Sequence, residues 1–139
     1  MKKFVITIAF LISVFSLTFA QKLTEDDLPP GLLYEFQNRY PGVKHSEWEM
    51  SNDQYIGKFN FMGNSVVSYY DISTAWLFSE TNMTVAQLPR ITQKHISSSL
   101  SEYEVKKVQL IEQRKDEDYY RIETKKGDEF FYLIYDKVG

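Results

Sequence analysis

Twice along this chain a Leu-Pro pair opens a short amphipathic segment that leads into aromatic-rich stretches alternating with period two, and that order restricts the fold more than any other feature. The first segment starts at Leu28-Pro29 and sets Leu32, Leu33, Phe36 and Tyr40 at helical spacing. The second starts at Leu88-Pro89 and sets Ile91, His95, Ile96, Leu100 and Tyr103 on one stripe. Proline suits the start of a helix, where its missing N–H has no intrahelical partner to lose, and Pro41-Gly42 supplies a stop for the first helix. After each helix, apolar and polar residues alternate between turn signals, as in antiparallel strands. The pattern predicts an α+β fold: a tandem repeat of helix plus antiparallel strands, residues 28–80 and 88–138, joined by a linker from Thr81 to Gln87.

The strand register follows from the turns. A turn over Ser51 to Gln54 sets Met50 against Tyr55, Trp48 against Gly57 and Ser46 against Phe59. A two-residue loop at Gly63-Asn64 sets Phe61 against Val66, Phe59 against Ser68 and Gly57 against Tyr70. One face then collects Trp48, Met50, Tyr55, Phe59, Phe61, Val66 and Tyr70, which must meet the helix. The other holds His45, Glu47, Glu49, Lys58 and Asn60, as a water-facing surface would. The rings of Trp48 and Tyr70 are placed to cover Gly57. A further turn at Ser73-Thr74 puts Asp71 opposite Trp76 and Tyr69 opposite Phe78, on the water-facing side. A hairpin at Lys126-Gly127 gives Tyr120, Ile122, Phe131, Leu133 and Tyr135 one face, and Tyr119, Arg121, Phe130, Tyr132 and Ile134 the other.

The N-terminus reads as an export signal: basic Lys2 and Lys3, an apolar run from Phe4 to Phe19, and Ala20 at the cut. As a helix the apolar run would be about 24 Å long at ~1.5 Å per residue, short of the ~30 Å hydrocarbon core. The expected product is residues 21–139, a single periplasmic or secreted domain with no membrane span. The whole chain carries a net charge of −3, and loss of Lys2 and Lys3 makes the remainder more acidic, which argues against nucleic acid as a partner. There is no cysteine, so stability must come from packing, and 10 Phe, 10 Tyr and 2 Trp supply the bulk for it.

The residues that carry enzyme chemistry are sparse. The acidic runs Glu25-Asp26-Asp27 and Asp116-Glu117-Asp118 read as solvated turns. His95 is expected partly buried on the inner stripe of its helix, and His45 exposed at a strand start; neither has a Cys, Asp or Glu at ligand spacing, so no metal or other cofactor is expected. No nucleophile elbow and no phosphate-binding glycine loop occurs. The sequence predicts no catalytic residue.

The run Leu28-Pro29, Phe36, Tyr40-Pro41, Trp48-Glu49, Tyr55, Phe59, Asp71, Trp76 and again Leu88-Pro89 resembles the exported PepSY-like family of Bacteroidetes, described as similar in fold to the β-lactamase inhibitory protein. The resemblance covers nearly the whole chain after the signal. It implies strands joined into one curved sheet, helices on one side and an open concave face on the other. In the inhibitory protein that face and two hairpin loops grip an enzyme; the comparable loops here lie near Asn52-Asp53 and Asp116 to Asp118. The chain departs from that protein in lacking cysteine. It departs from the PepSY-like pattern at Ile72-Ser73-Thr74-Ala75, where a glycine is common.

These readings converge on a non-enzymatic binding or inhibitory module of the cell envelope. Its expected site is an outer-face set of Tyr69, Trp76, Phe78, Tyr119, Phe130 and Tyr132, with Asn52 and Asp53 at a loop tip. The expected partner is an envelope protein or peptide; a second copy of the chain would also cover such rings. The competing expectation is a carrier of a small apolar or sugar-like ligand, held in a ring-lined groove.

Overall fold

The computed structural model describes residues 20–137, so the export signal read over residues 1–20 lies, except for Ala20, outside the described residues. Two helices form where the apolar spacing places them: α1 spans Pro30–Arg39 and α2 spans Arg90–Ser99. A single 3-10 turn precedes each, Glu25–Asp27 and Val85–Gln87, closed by a side chain that reaches back. Thr24 N–H donates to Asp27 Oδ2 at 2.8 Å, and Thr84 N–H donates to Gln87 Oε1 at 2.8 Å. The Thr24 hydroxyl, 2.7 Å from the same carboxylate, joins that N–H in holding Asp27 below the usual carboxylate range. Pro29 and Pro89 sit at the N-caps with φ of −58° and −53°, where the ring fixes the entry angle. The helices end where Tyr40 N–H and Leu100 N–H return to the carbonyls of Phe36 and Ile96.

The strands are β1 (Gln21–Leu23), β2 (Ser46–Ser51), β3 (Gln54–Phe61), β4 (Asn64–Asp71), β5 (Trp76–Met83), β6 (Glu104–Gln113), β7 (Tyr119–Lys126) and β8 (Glu129–Asp136). They form one eight-stranded antiparallel sheet in chain order, β1 through β8. Helix α1 connects β1 to β2 and α2 connects β5 to β6, so each helix joins two neighbouring strands.

This overturns the expected tandem repeat of helix plus strands, with its boundary at Thr81 to Gln87. Strand β5 runs through that boundary: Thr81, Asn82 and Met83 pair with Leu110, Gln109 and Val108 of β6, while Thr81 also faces Val66 of β4. The hydrogen-bond ladder is continuous, and two short helices lie against a single sheet. The polar run Glu80-Thr81-Asn82 imitates a linker in sequence, but its polar side chains are satisfied across the sheet, Glu80 by Arg121 and Asn82 by Gln109. An additional strand, β1, precedes the first helix and pairs with β2.

Within the sheet the predicted β2–β3 register holds, with Trp48 opposite Gly57 and Met50 opposite Tyr55. At two hairpins the loop is displaced. Met62-Gly63 forms the β3–β4 turn and Gly127-Asp128 the β7–β8 turn, so Phe59 meets Val66 and Ile122 meets Leu133. Each displacement shifts the pairing by two residues, which preserves the face of every side chain. The β4–β5 connection differs in kind. Asp71 Oδ1 accepts from Ser73 Oγ at 2.6 Å and from Ala75 N–H at 3.0 Å, and Thr74 adopts φ 75°. The register slips between Tyr69 and Tyr70: Tyr69 still faces Phe78, but Tyr70 faces Trp76, leaving Leu77 as the extra residue of a bulge. A one-residue slip reverses the face, so Trp76 turns under α1.

The expected outer position of Trp76 is therefore corrected. Its indole is 7% exposed, lies under the Arg39 guanidinium at 3.4 Å, and donates through Nε1 to Ser79 Oγ at 2.8 Å. Ser79 Oγ also meets Tyr40 Oη at 2.5 Å and Ser68 Oγ at 2.8 Å, so one buried hydroxyl ties α1, β4 and β5 together. Burial pushes both the Tyr40 and the Tyr70 phenol above the ordinary range; Tyr40 Oη is hydrogen-bonded to Ser79, whereas Tyr70 Oη is buried with no hydrogen-bond partner among the described residues.

Around this polar knot Leu28, Leu32, Phe36 and Tyr40 pack on Trp48, Phe59, Val66, Tyr70 and Trp76. Phe36 meets Trp48 and Phe59 edge-on, with centroids 5.1 and 4.9 Å apart. A smaller cluster of Leu88, Ile96, Val108 and Ile122 sits under α2 on the same side of the sheet. There Thr92 and Ile96 are the buried helix positions, while Ile91 and His95, expected on the inner stripe, are exposed.

Two substitutions test this packing by chemical denaturation. Trp76→Ala removes the ring from under Arg39 and is expected to cost about 3–5 kcal/mol. Gly57→Ala is expected to cost about 1–3 kcal/mol by overpacking, because a Cβ there would fall 2.7 Å from Trp48 Cη2. A loss below ~0.5 kcal/mol in either variant, the ordinary scatter of surface substitutions, would contradict the packing.

Candidate functional site

The sheet face opposite the helices carries the candidate site. Pairing brings Tyr69 of β4 beside Phe78 of β5, and the rings stack at 4.2 Å with a 14° tilt. Burial first, and the Glu80 carboxylate second, push the Tyr69 phenol above its ordinary range. Beyond the adjacent row of Glu80, Ile111 and Tyr119, the residues Asn82, Gln109, Arg121 and Ile134 form one row across β5 to β8.

The centre of that row is a closed polar plate. Gln109 is only 4% exposed although it faces away from the helices. Its Oε1 accepts from Arg121 Nε at 3.2 Å and Nη2 at 2.7 Å, and its Nε2 donates to Asn82 Oδ1 at 3.1 Å and Glu80 Oε2 at 3.4 Å. Both amide hydrogens and both oxygen lone pairs are thus used, the most a glutamine can make. Arg121 Nη2 also pairs with Glu80 Oε1 at 3.2 Å. A guanidinium held this way presents a flat surface of fixed orientation, with its charge offset by Glu80. Ile111 is buried beside it.

Beyond the plate the face becomes apolar and open. Tyr119 is half-buried, while Phe130, Tyr132 and Ile134 are 55%, 65% and 59% exposed. Lys125 Nζ lies 5.5 Å above the Phe130 ring. Of the expected site residues, the structure places Tyr69, Phe78, Tyr119, Phe130 and Tyr132 on one face and removes Trp76 to the core. Asn52 and Asp53 form an exposed turn with φ of 51° and 57° between β2 and β3. The chain order of the sheet puts that turn at the same end as the loop from Arg114 to Asp118. In that loop the Asp118 carboxylate is held by Gln113 N–H and by Lys137, at 3.0 and 2.8 Å, while Asp116 and Glu117 are exposed as expected of a solvated turn.

The sequence reading missed Glu80, Asn82 and Gln109. Their signal was a polar alternation at 80, 82 and 109, which looked like ordinary solvated strand positions until the pairing closed it around Arg121. One hollow on the surface, about 530 Å³, is lined mostly by charged and polar side chains, among them Glu25, Lys44, His45, Glu47, Lys58 and Asn60. Among the described residues no group of three or more His, Cys, Asp or Glu is placed to hold a metal ion. His95 Nδ1 is 2.8 Å from Tyr135 Oη, a structural hydrogen bond at the helix surface.

No protein-family model matches this sequence, and no curated relative does. Solved structures do. A BLIP-like protein from Bacteroides fragilis NCTC 9343 superposes with a TM-score of 0.72 at 20% identity, over 81% of this chain and 82% of that one. A DUF2874 family protein from Bacteroides ovatus ATCC 8483 gives 0.70 at 18% identity, over 80% and 82%. A candidate periplasmic protein from Bacteroides eggerthii DSM 20697 gives 0.67 at 15% identity, over 78% and 81%. At these identities the likeness concerns the backbone alone: this chain has a BLIP-like fold.

Proposed function

We propose that this chain is an exported, non-enzymatic binding module of the bacterial cell envelope, and that its open sheet face takes up a protein or peptide. The observation that carries this reading is the juxtaposition of exposed Phe130, Tyr132 and Ile134 with the rigid Arg121–Gln109–Glu80 plate. Large aromatic side chains beside a pre-oriented arginine are the groups that dominate protein interfaces, because little freedom is lost when they are covered.

The same plate argues against catalysis. Acid–base chemistry needs a titratable group left poised in a cleft, whereas Glu80 and Arg121 compensate one another and Gln109 has no capacity to spare. Export is supported by the Lys2–Ala20 pattern and by the periplasmic character suggested for one structural neighbour. No helix among the described residues is long and apolar enough to cross a membrane. Membership of the PepSY-like family rests on the Leu-Pro and Trp48-Glu49 residues and forms part of the proposal, not of its support.

The test is capture from envelope extract on immobilised protein lacking the signal. Tyr132→Ala and Arg121→Ala are each expected to weaken capture of the retained partner by about 30-fold, the consequence of a hot-spot loss near 2 kcal/mol. Tyr132→Ala should leave the thermal midpoint unchanged, since its ring is exposed. Capture unaffected by either substitution would remove the open face from consideration. A small bound mass in native mass spectrometry, with no protein retained, would favour the carrier instead.

A further inference from the structure

The two edges of the sheet are treated differently. At one end β1 is only three residues long, a short edge of the kind that resists unwanted pairing. At the other, β8 is eight residues long, and Phe130 to Tyr135 contains no charge, no proline and no bulge. Its closing pair, Lys126 with Glu129, flanks a two-residue turn and is therefore a hydrogen-bonded pair. Alternation from that point aims the backbone N–H and C=O groups of Phe130, Tyr132 and Ile134 away from β7, toward the free edge. These are the same three residues whose side chains are exposed on the open face.

We infer that β8 pairs antiparallel with β8 of a second copy of this chain, about a two-fold axis at Leu133. Because opposite residues in an antiparallel pair share a face, a two-fold pairing of β8 with itself has few registers. Centring on Leu133 sets Leu133 against Leu133, Phe131 against Tyr135 and Tyr132 against Ile134, and places Glu129 opposite Lys137 at both ends. Centring on Tyr132 would instead oppose Asp128 to Asp136, and centring on Ile134 would oppose Phe131 to Lys137. The Leu133 register is the one that pairs both ring with ring (Phe131 with Tyr135) and opposite charges (Glu129 with Lys137), and it leaves Phe130 opposite Asp136. Lys137 already contacts Asp118 at 2.8 Å, and an ammonium with three donors serves both carboxylates. The product is one sheet continued through two chains, with the open faces side by side.

The experiment uses the protein lacking its signal, with no other partner present, so its outcome is separate from that of the capture assay. Sedimentation equilibrium from micromolar to millimolar concentration should show a reversible monomer–dimer equilibrium. Ile134→Lys alters an exposed residue that occurs twice in the symmetric interface, and should weaken the dimer at least tenfold while leaving the thermal midpoint in place. The chain has no cysteine, so single-cysteine variants report position cleanly. In the predicted register two Leu133 residues form a non-hydrogen-bonded pair with Cα atoms about 4.5 Å apart, within disulfide reach. Leu133→Cys should therefore cross-link on mild oxidation at least tenfold faster than Tyr135→Cys. A wild-type chain that stays monomeric to millimolar concentration, or a dimer insensitive to Ile134→Lys, overturns the inference even if Leu133→Cys fails to fold. Faster cross-linking through Tyr135→Cys overturns the register.

Discussion

Strand β5 holds this molecule together because it is paired along both edges and bonded on both faces. Its backbone joins β4 to β6 without a break. Below, Ser79 accepts the Trp76 indole and meets Tyr40 of the first helix. Above, Phe78 completes the aromatic stack and Glu80 anchors Arg121. A polar hydroxyl at the centre of an aromatic core is costly unless satisfied, and Ser79 is satisfied by three neighbours. That network fixes how α1 sits, and so which rings are covered.

The aromatic residues divide between two jobs. Beneath the helix, Phe36 meets Trp48 and Phe59 edge to face and Trp48 lies tilted against Tyr70, packing that supplies the stability a chain without cysteine cannot draw from disulfides. On the other face rings become more exposed toward β8, from the half-buried Tyr69–Phe78 stack to the open Phe130 and Tyr132. The Gln109 amide and Arg121 guanidinium lie between them as a neutralised, immobile surface. Binding there would ask little reordering of the protein, as the proposed binding role requires.

Much of this could be read from the chain. Both helices, the β2–β3 register, the cover of Gly57 by Trp48, and the sidedness of Tyr119, Phe130 and Tyr132 follow from periodicity and turn residues. Misplacing the Met62-Gly63 and Gly127-Asp128 loops did no harm, since a shift of two residues keeps each side chain on its face. Leu77 did harm: a single extra residue reversed Trp76, and its only trace was a turn without glycine. The polar plate escaped for another reason. Glu80, Asn82, Gln109 and Arg121 come from three strands, and no local pattern announces that four solvated-looking side chains will saturate one another.

The sequence by itself therefore determined the local order: where helices begin and end, which residues alternate, and that packing must supply the stability in a chain without cysteine. Those properties depend on neighbours a few positions apart. Whether the halves separate or fuse, which way Trp76 faces, and whether Gln109 is covered were decided only by the tertiary structure. Each depends on pairing between residues distant in the chain, where one bulge or one continued strand changes which atoms meet.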